Sequence, residues 1–179
     1  MPRLLGKTYA SQMQRDSVRR EMLASPELRK WTDGGCKISH PTHIISLGQA
    51  EEPERHVRFR CKKTGLLHGL IGYQSDYLAK SVRIRLVVTH PDSTITAPEM
   101  YKVLVFDHYT IISDQEMSMG GVWIYQKLMH DSDVTLSLQS GRSLDYGDFL
   151  RNFGDKGTPV GDDRFVTTLS PLASLRHGP

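Results

Sequence analysis

At 179 residues, with 38% hydrophobic and 24% charged side chains, the chain is long enough for one domain with a core and too short for two comfortable ones. This composition argues against a disordered, fibrous or membrane-spanning protein, and the two cysteines, Cys36 and Cys61, are too few for the disulfide framework of a small secreted scaffold. The net charge of +3 is polarised: residues 1–102 carry 17 Lys and Arg against 10 Asp and Glu, whereas residues 103–179 carry 6 against 10.

The N-terminal segment, residues 1–37, is basic and reads as helical. "KTYASQMQRDSVRREMLA" at 7–24 is rich in helix formers with no Gly or Pro, and Met13, Val18, Met22 and Leu23 form a patchy apolar stripe. "SPELRKW" offers Ser25 as N-cap and Pro26 at the first helical position of a second, short helix that "DGG" at 33–35 ends. Neither the N-terminus nor any later run has the ~18 apolar residues of a membrane helix, so no signal or spanning segment is expected.

From residue 38 to 140 the texture becomes β-like. "THIISLG", "HVRFRCKK", "KSVRIRLVVTH", "MYKVLVFDHYTII", "GVWIYQKLM" and "DVTLSLQ" are rich in β-branched and aromatic residues, and "EEPE", "PDS" and "SMGG" break the chain between several of them. "YKVLVF", apolar on both faces, reads as a central strand. Residues 141–179 read as a short helix in "SLDYGDFLRNFG", a loop in "DKGTPVGDDRF" and a tail in "SPLASLRHGP". The expected class is therefore α+β, mainly β: an antiparallel sandwich or barrel-like core of about six strands behind an N-terminal helical segment.

Motifs for chemistry are sparse. "HPTH" at 40–43 places two imidazoles three residues apart, but the proline opposes a shared helical face and no Cys or carboxylate completes a set nearby, so a loop is expected and no metal site. "DHY" at 107–109 has no identifiable catalytic partner, and no catalytic residue is assigned. "GLLHGLIG" and "SMGGV" match neither phosphate-binding glycine pattern and read as turns or bulges; no cofactor is expected. The acidic stretch 145–163 lacks the spacing of a calcium loop.

The basic strands carry more information. Alternation puts Val57, Phe59 and Cys61 on one face of their strand and Arg58, Arg60 and Lys62 on the other, and puts Val82, Ile84, Leu86 and Val88 inward with Arg83 and Arg85 outward. If those strands are neighbours, the cations share a surface. Like charges opposite one another in a sheet destabilise it, so that surface wants an anion, either RNA phosphate or an anionic lipid leaflet. The candidate anion-binding residues are Arg19, Arg20, Arg58, Arg60, Lys62, Lys63, Arg83 and Arg85.

A basic segment of ~40 residues before a compact β-rich domain at about 38–140, without an enzyme motif, resembles the layout of the matrix proteins of negative-strand RNA viruses, particularly plant rhabdoviruses. That resemblance implies a non-enzymatic viral structural protein that self-associates and bridges ribonucleoprotein to the anionic inner membrane surface during assembly and budding. Its partners would be further copies of itself, ribonucleoprotein or single-stranded RNA, and an anionic membrane, with no small-molecule substrate. Its location would be host cytoplasm or nucleus, the membrane periphery and the virion. The matrix late-domain motifs PPxY and PTAP are absent, although "YKVL" at 101–104 fits YxxL. A second resemblance starts at the same strands: "SVRIRLVV" followed by "YKVLVFD" is similar to the core of plant-virus movement proteins of the thirty-kilodalton superfamily, with Asp107 at the signature position and Tyr109 where an Arg is usual. This alternative implies single-stranded nucleic acid binding and cell-to-cell transport.

Overall fold

The computed structural model of the protein describes residues 12–24, 36–49, 55–75, 80–114, 119–142, 144, 147 and 164–177. The helix α1 covers Gln12–Leu23, within the segment whose propensity called for it. The second helix expected from Ser25, most of the one expected at 143–154 and the loop that follows it lie outside the described residues. The chain adopts the expected class, α+β and mainly β with an N-terminal helix. Its described segments group into two compact units, residues 1–74 with 84–100 and residues 75–83 with 101–179.

The strands β1 (Cys36–Ile38), β2 (His43–Gln49), β3 (Arg55–Cys61), β4 (Leu67–Ser75) and β5 (Ser81–Thr89) follow one another in the sheet in chain order, the first unit holding them up to residue 74 and β5 from residue 84. β1 through β4 pair antiparallel. β4 falls on "LHGLIGYQS", where sequence reading expects turns. Its glycines are places of close approach rather than breaks: a Cβ on Gly69 would overlap the Met100 Sδ, and one on Gly72 would lie 3.3 Å from the Leu86 Cβ.

Register assigns the two faces of this sheet. Ile45 and Leu47 stand opposite Phe59 and Val57, and Val57 stands opposite Ile71, so these apolar side chains share one buried face. Arg58 stands opposite Ser46 and Leu70 on the other face. That second face is not open to solvent, because Leu23 of α1, with Met22 beside it, packs against Leu70, Val88, Leu67 and Leu86. The outward position expected for Arg58 is thereby corrected: it is only 5% exposed.

The second unit pairs Ser81–Arg83 of β5 with β6 (Thr110–Ile112) in parallel, then β6 with β8 (Phe165–Leu169) and β8 with β7 (Val134–Leu138) antiparallel. The sheet is therefore mixed rather than wholly antiparallel. A parallel pair needs a crossover, and the chain between β5 and β6 contains helix α2 (Ala97–Phe106). "YKVLVF" is thus helix, not strand. Thr96 starts it: the Thr96 N–H donates to Glu99 Oε2 at 2.6 Å and the Glu99 N–H donates to Thr96 Oγ1 at 3.3 Å, a reciprocal cap.

"GVWIYQKLM", also expected as a strand, lies in helix α3 (Met119–Met129). Val122, Tyr125, Ile124 and Leu128 are buried at helical spacing, while Trp123 and Lys127, four apart, stay exposed with the ammonium 5.7 Å from the indole centre. Tyr125 stacks on Phe165 at 4.7 Å and meets Tyr101 edge-on at 5.8 Å, so β8 helps build this core. The expected C-terminal tail is helix α4 (Pro171–His177), with Ala173 fully buried and the Ser170 hydroxyl capping its N–H at 3.1 Å. Among the described residues no helix is long and apolar enough to cross a membrane.

Candidate functional site

The residues singled out for anion binding do not form one surface. Arg58 and Arg60 belong to β3, which is flanked by β2 and β4, so β3 and β5 are not neighbouring strands. Leu70 and Val88 pack together and the Leu86 Cβ lies beside Gly72, which places β5's Leu86 and Val88 on the same face as Arg58. By alternation Arg85, exposed, points to the opposite face. Arg83, half-buried, precedes it by two residues on the same side of its strand.

Arg19 is committed within its own unit. Its guanidinium donates to the Thr89 carbonyl at 2.6 Å and the Thr89 hydroxyl at 2.7 Å, and meets the Asp16 carboxylate at 3.1 Å. These bonds fasten α1 to the end of β5. Arg20 remains exposed on the helix. Asp107, the movement-type signature position, follows helix α2 rather than a strand and lies 3.6 Å from the Lys80 ammonium.

Three of the expected cations, Arg60, Lys62 and Lys63, do come together with exposed apolar groups at the β3–β4 hairpin. All three are exposed, as are Leu66 at 51% and Ile44 at 43%. Ile44 stands directly opposite Arg60 in the β2–β3 register. The tip is a closed turn: the Cys61 N–H donates to the Leu66 carbonyl and the Gly65 N–H to the Cys61 carbonyl, each at 2.9 Å. Gly65 adopts φ 71°, which favours glycine. Arg60 donates to the Gly65 carbonyl at 2.8 Å and Lys62 to the His40 carbonyl at 2.6 Å. Neutral carbonyls order these cations without cancelling their charge.

The other face of the same hairpin gathers a cluster that residue spacing does not reveal. His43 opens β2 directly opposite Cys61 at the end of β3, so their side chains share a face. Between β3 and β4 the register shifts: Phe59 faces Gly69 and Arg60 faces Leu67, leaving His68 as the extra residue of a bulge. Bulges re-aim side chains. Here the result is a 3.0 Å approach of His43 Nε2 to His68 Nδ1, with donor atoms of His43, Cys61 and His68 all within 4.8 Å of one another. All three residues are buried.

Hydrogen bonds from outside orient the set. The Thr42 hydroxyl lies 2.9 Å from His43 Nδ1, and Thr94 approaches His68 Nδ1 at 3.4 Å through both its N–H and its hydroxyl. His90 stacks on His68 at 6.5 Å, and His40 meets His43 edge-on at 5.5 Å. Burial holds the His43 and His68 pKa values below the usual imidazole range, keeping both rings neutral near pH 7. The hydrogen bond from the Thr64 side chain lowers the Cys61 thiol pKa, against an opposing effect of burial.

Spacing in the sequence sets His40 beside His43 and predicts a loop. The structure instead joins His43 to residues 18 and 25 positions later, and His43 belongs to a strand. The available signal was the hairpin register together with the alternation of "VRFRC", which places Cys61 on the core face. The bulge that turns His68 toward it has no such signal. No family model, no curated protein and no solved structure matches the chain.

Proposed function

We propose that this protein is a non-enzymatic, matrix-like structural protein that self-associates and bridges ribonucleoprotein to an anionic membrane surface. The observation that carries this reading is the β3–β4 hairpin tip, where Arg60, Lys62, Lys63 and Leu66 are all exposed and Ile44, opposite Arg60, is exposed as well. Each basic residue near an anionic leaflet contributes about 1 kcal/mol, so three contribute on the order of a hundredfold in partitioning. An exposed leucine at the tip adds apolar insertion at the headgroup boundary. Sequence-specific reading of RNA bases would call for exposed aromatic platforms, and this tip has none, so its contact with ribonucleoprotein would be to phosphates.

Self-association is supported by the charge of the chain, +7 over residues 1–102 and −4 over residues 103–179, which favours contact between unlike parts of two copies. The ribonucleoprotein role rests on the same basic surface.

Flotation with vesicles tests the reading. The protein is expected to float with vesicles containing phosphatidylserine, to stay down with neutral phosphatidylcholine, and to release as salt rises. Lys62→Glu with Lys63→Glu should abolish flotation, and Leu66→Ser should weaken it, with circular dichroism unchanged. Absence of binding to anionic vesicles, together with cooperative uptake of single-stranded RNA, would replace this reading with the movement-type alternative.

A further inference from the structure

We propose that His43, Cys61 and His68 form a zinc(II) site, two imidazole nitrogens and one thiolate sulfur clamping the ends of β2, β3 and β4 together. This goes beyond the membrane-binding reading and does not depend on it, because the three donors lie on the buried face of the hairpin rather than on its exposed tip.

The imidazole pair needs little adjustment, while the three donors, within 4.8 Å of one another, draw in around the ion. Two Zn–N bonds of about 2.0–2.1 Å at a tetrahedral angle hold their nitrogens about 3.3–3.4 Å apart. His43 Nε2 and His68 Nδ1 stand 3.0 Å apart, converging on one hydrogen-bonded proton. Zinc replaces that proton, and the pair opens by a few tenths of an ångström. The proton on the His43 ring then resides on Nδ1, where the Thr42 hydroxyl at 2.9 Å can accept it, the outer hydrogen bond that fixes the tautomer of a ligating histidine. A hydroxyl serves as donor to the metal-free ring and acceptor from the metal-bound one.

The donor chemistry selects the ion. Neutral imidazole and thiolate suit zinc, whereas magnesium and calcium demand carboxylate and carbonyl oxygens, which the set lacks. Three protein donors leave one tetrahedral position for a water. The sheet supplies the rigidity: His43 and Cys61 are fixed by a cross-strand register and His68 by a bulge, so the donors are already gathered without the ion.

Cobalt(II) titration of the chelator-treated full chain tests the site, since tetrahedral cobalt–thiolate binding produces a charge-transfer band in the near ultraviolet and strong visible ligand-field bands. The expected result is one equivalent bound, with zinc displacing cobalt and bleaching both sets of bands. Cys36 and Cys61 are the only thiols, so the charge-transfer band should persist in Cys36→Ser and vanish in Cys61→Ser. His68→Gln removes a ligand and should weaken cobalt binding by more than the roughly 10–100-fold that loss of an outer hydrogen-bond partner costs. A wild-type titration without the thiolate band, or a band that survives Cys61→Ser, would overturn the proposal. The wild-type spectrum with its Cys36→Ser control decides the matter even if a ligand variant fails to fold.

Discussion

Arg58 and Leu70 stand opposite each other across β3 and β4, on the sheet face that Leu23 of α1 helps to cover. A cation so placed belongs to the interior of its unit, whereas Arg85 points to the other face of the sheet and is exposed. The two arginines therefore respond differently to charge reversal. Arg58→Glu is expected to cost about 3–5 kcal/mol, because it leaves a carboxylate buried opposite Ser46 and Leu70 without a countercharge placed for it. Arg85→Glu should stay within about 0.5 kcal/mol of the wild type. Urea denaturation of both variants distinguishes them, and equal midpoints would remove Arg58 from the interior.

Gly69 and Met100 are coupled through space that a methyl group would need. Gly69→Ala pushes its Cβ onto the buried Met100 Sδ, with the Val88 carbonyl at 3.6 Å limiting escape. Overpacking of this kind costs about 1–3 kcal/mol. Met100→Ala alone creates a cavity and costs about 2–5 kcal/mol. The double variant should be more stable than the sum of the two single losses implies, since each change relieves the other. Additive losses in a denaturation cycle would show that the two side chains do not compete for one volume.

How far these features could be read from residues alone depends on the range of the interaction. Alternation correctly put Val57, Phe59 and Cys61 into the core, because period two is local and their face is apolar throughout. It failed for Arg58, whose burial depends on where α1 docks, a contact between residues almost fifty positions apart. "YKVLVF" reads as a strand because a run of six residues is too short for periodicity to separate strand from helix. The deciding signal stood just before it in Thr96 and Glu99, three residues apart with Pro98 in the first turn. The histidine–cysteine cluster was illegible for a third reason. It is assembled by strand pairing and by a bulge, and neither leaves a fixed spacing in the chain.

The reciprocal cap at the start of α2 is expected to carry measurable stability. Thr96→Ala removes the hydroxyl that accepts the Glu99 N–H, and Glu99→Ala removes the carboxylate that accepts the Thr96 N–H. Each should lower stability by about 1 kcal/mol, and Thr96→Ser should retain most of the wild-type value. Thermal unfolding of the three variants provides the measurement. Equal losses for Thr96→Ser and Thr96→Ala would point to the lost methyl rather than the cap.

A cluster in the second unit predicts a two-sided pH dependence. The Lys102 ammonium lies 2.9 Å from the Asp131 carboxylate and 3.0 Å from that of Asp133, and Arg176 reaches Asp133 at 2.6 Å. The hydrogen bond from Lys102 holds the Asp133 pKa below its ordinary value of 3.8, outweighing the opposing effect of burial, with the charges of Lys102 and Arg176 assisting. A depressed carboxyl contributes stability that is fully present above its unfolded value and is lost as pH falls through the folded one, so this contribution fades below about pH 4. For Lys102, burial works against the charged form, but Asp131 and Asp133 together outweigh it and raise the pKa above 10.5. Its contribution is therefore complete below that value and is lost only as pH rises through the raised one. Lys102→Met removes both effects: the variant should be less stable than wild type at neutral pH, and the gap should narrow toward acid and toward strong alkali. Arg176→Gln, at a far more exposed partner, should cost no more than about 1 kcal/mol and leave the alkaline limb unchanged. Melting temperatures across the pH range give the comparison, and curves for wild type and Lys102→Met that run parallel from acid to alkali would show that these charges do not act on one another as their distances require.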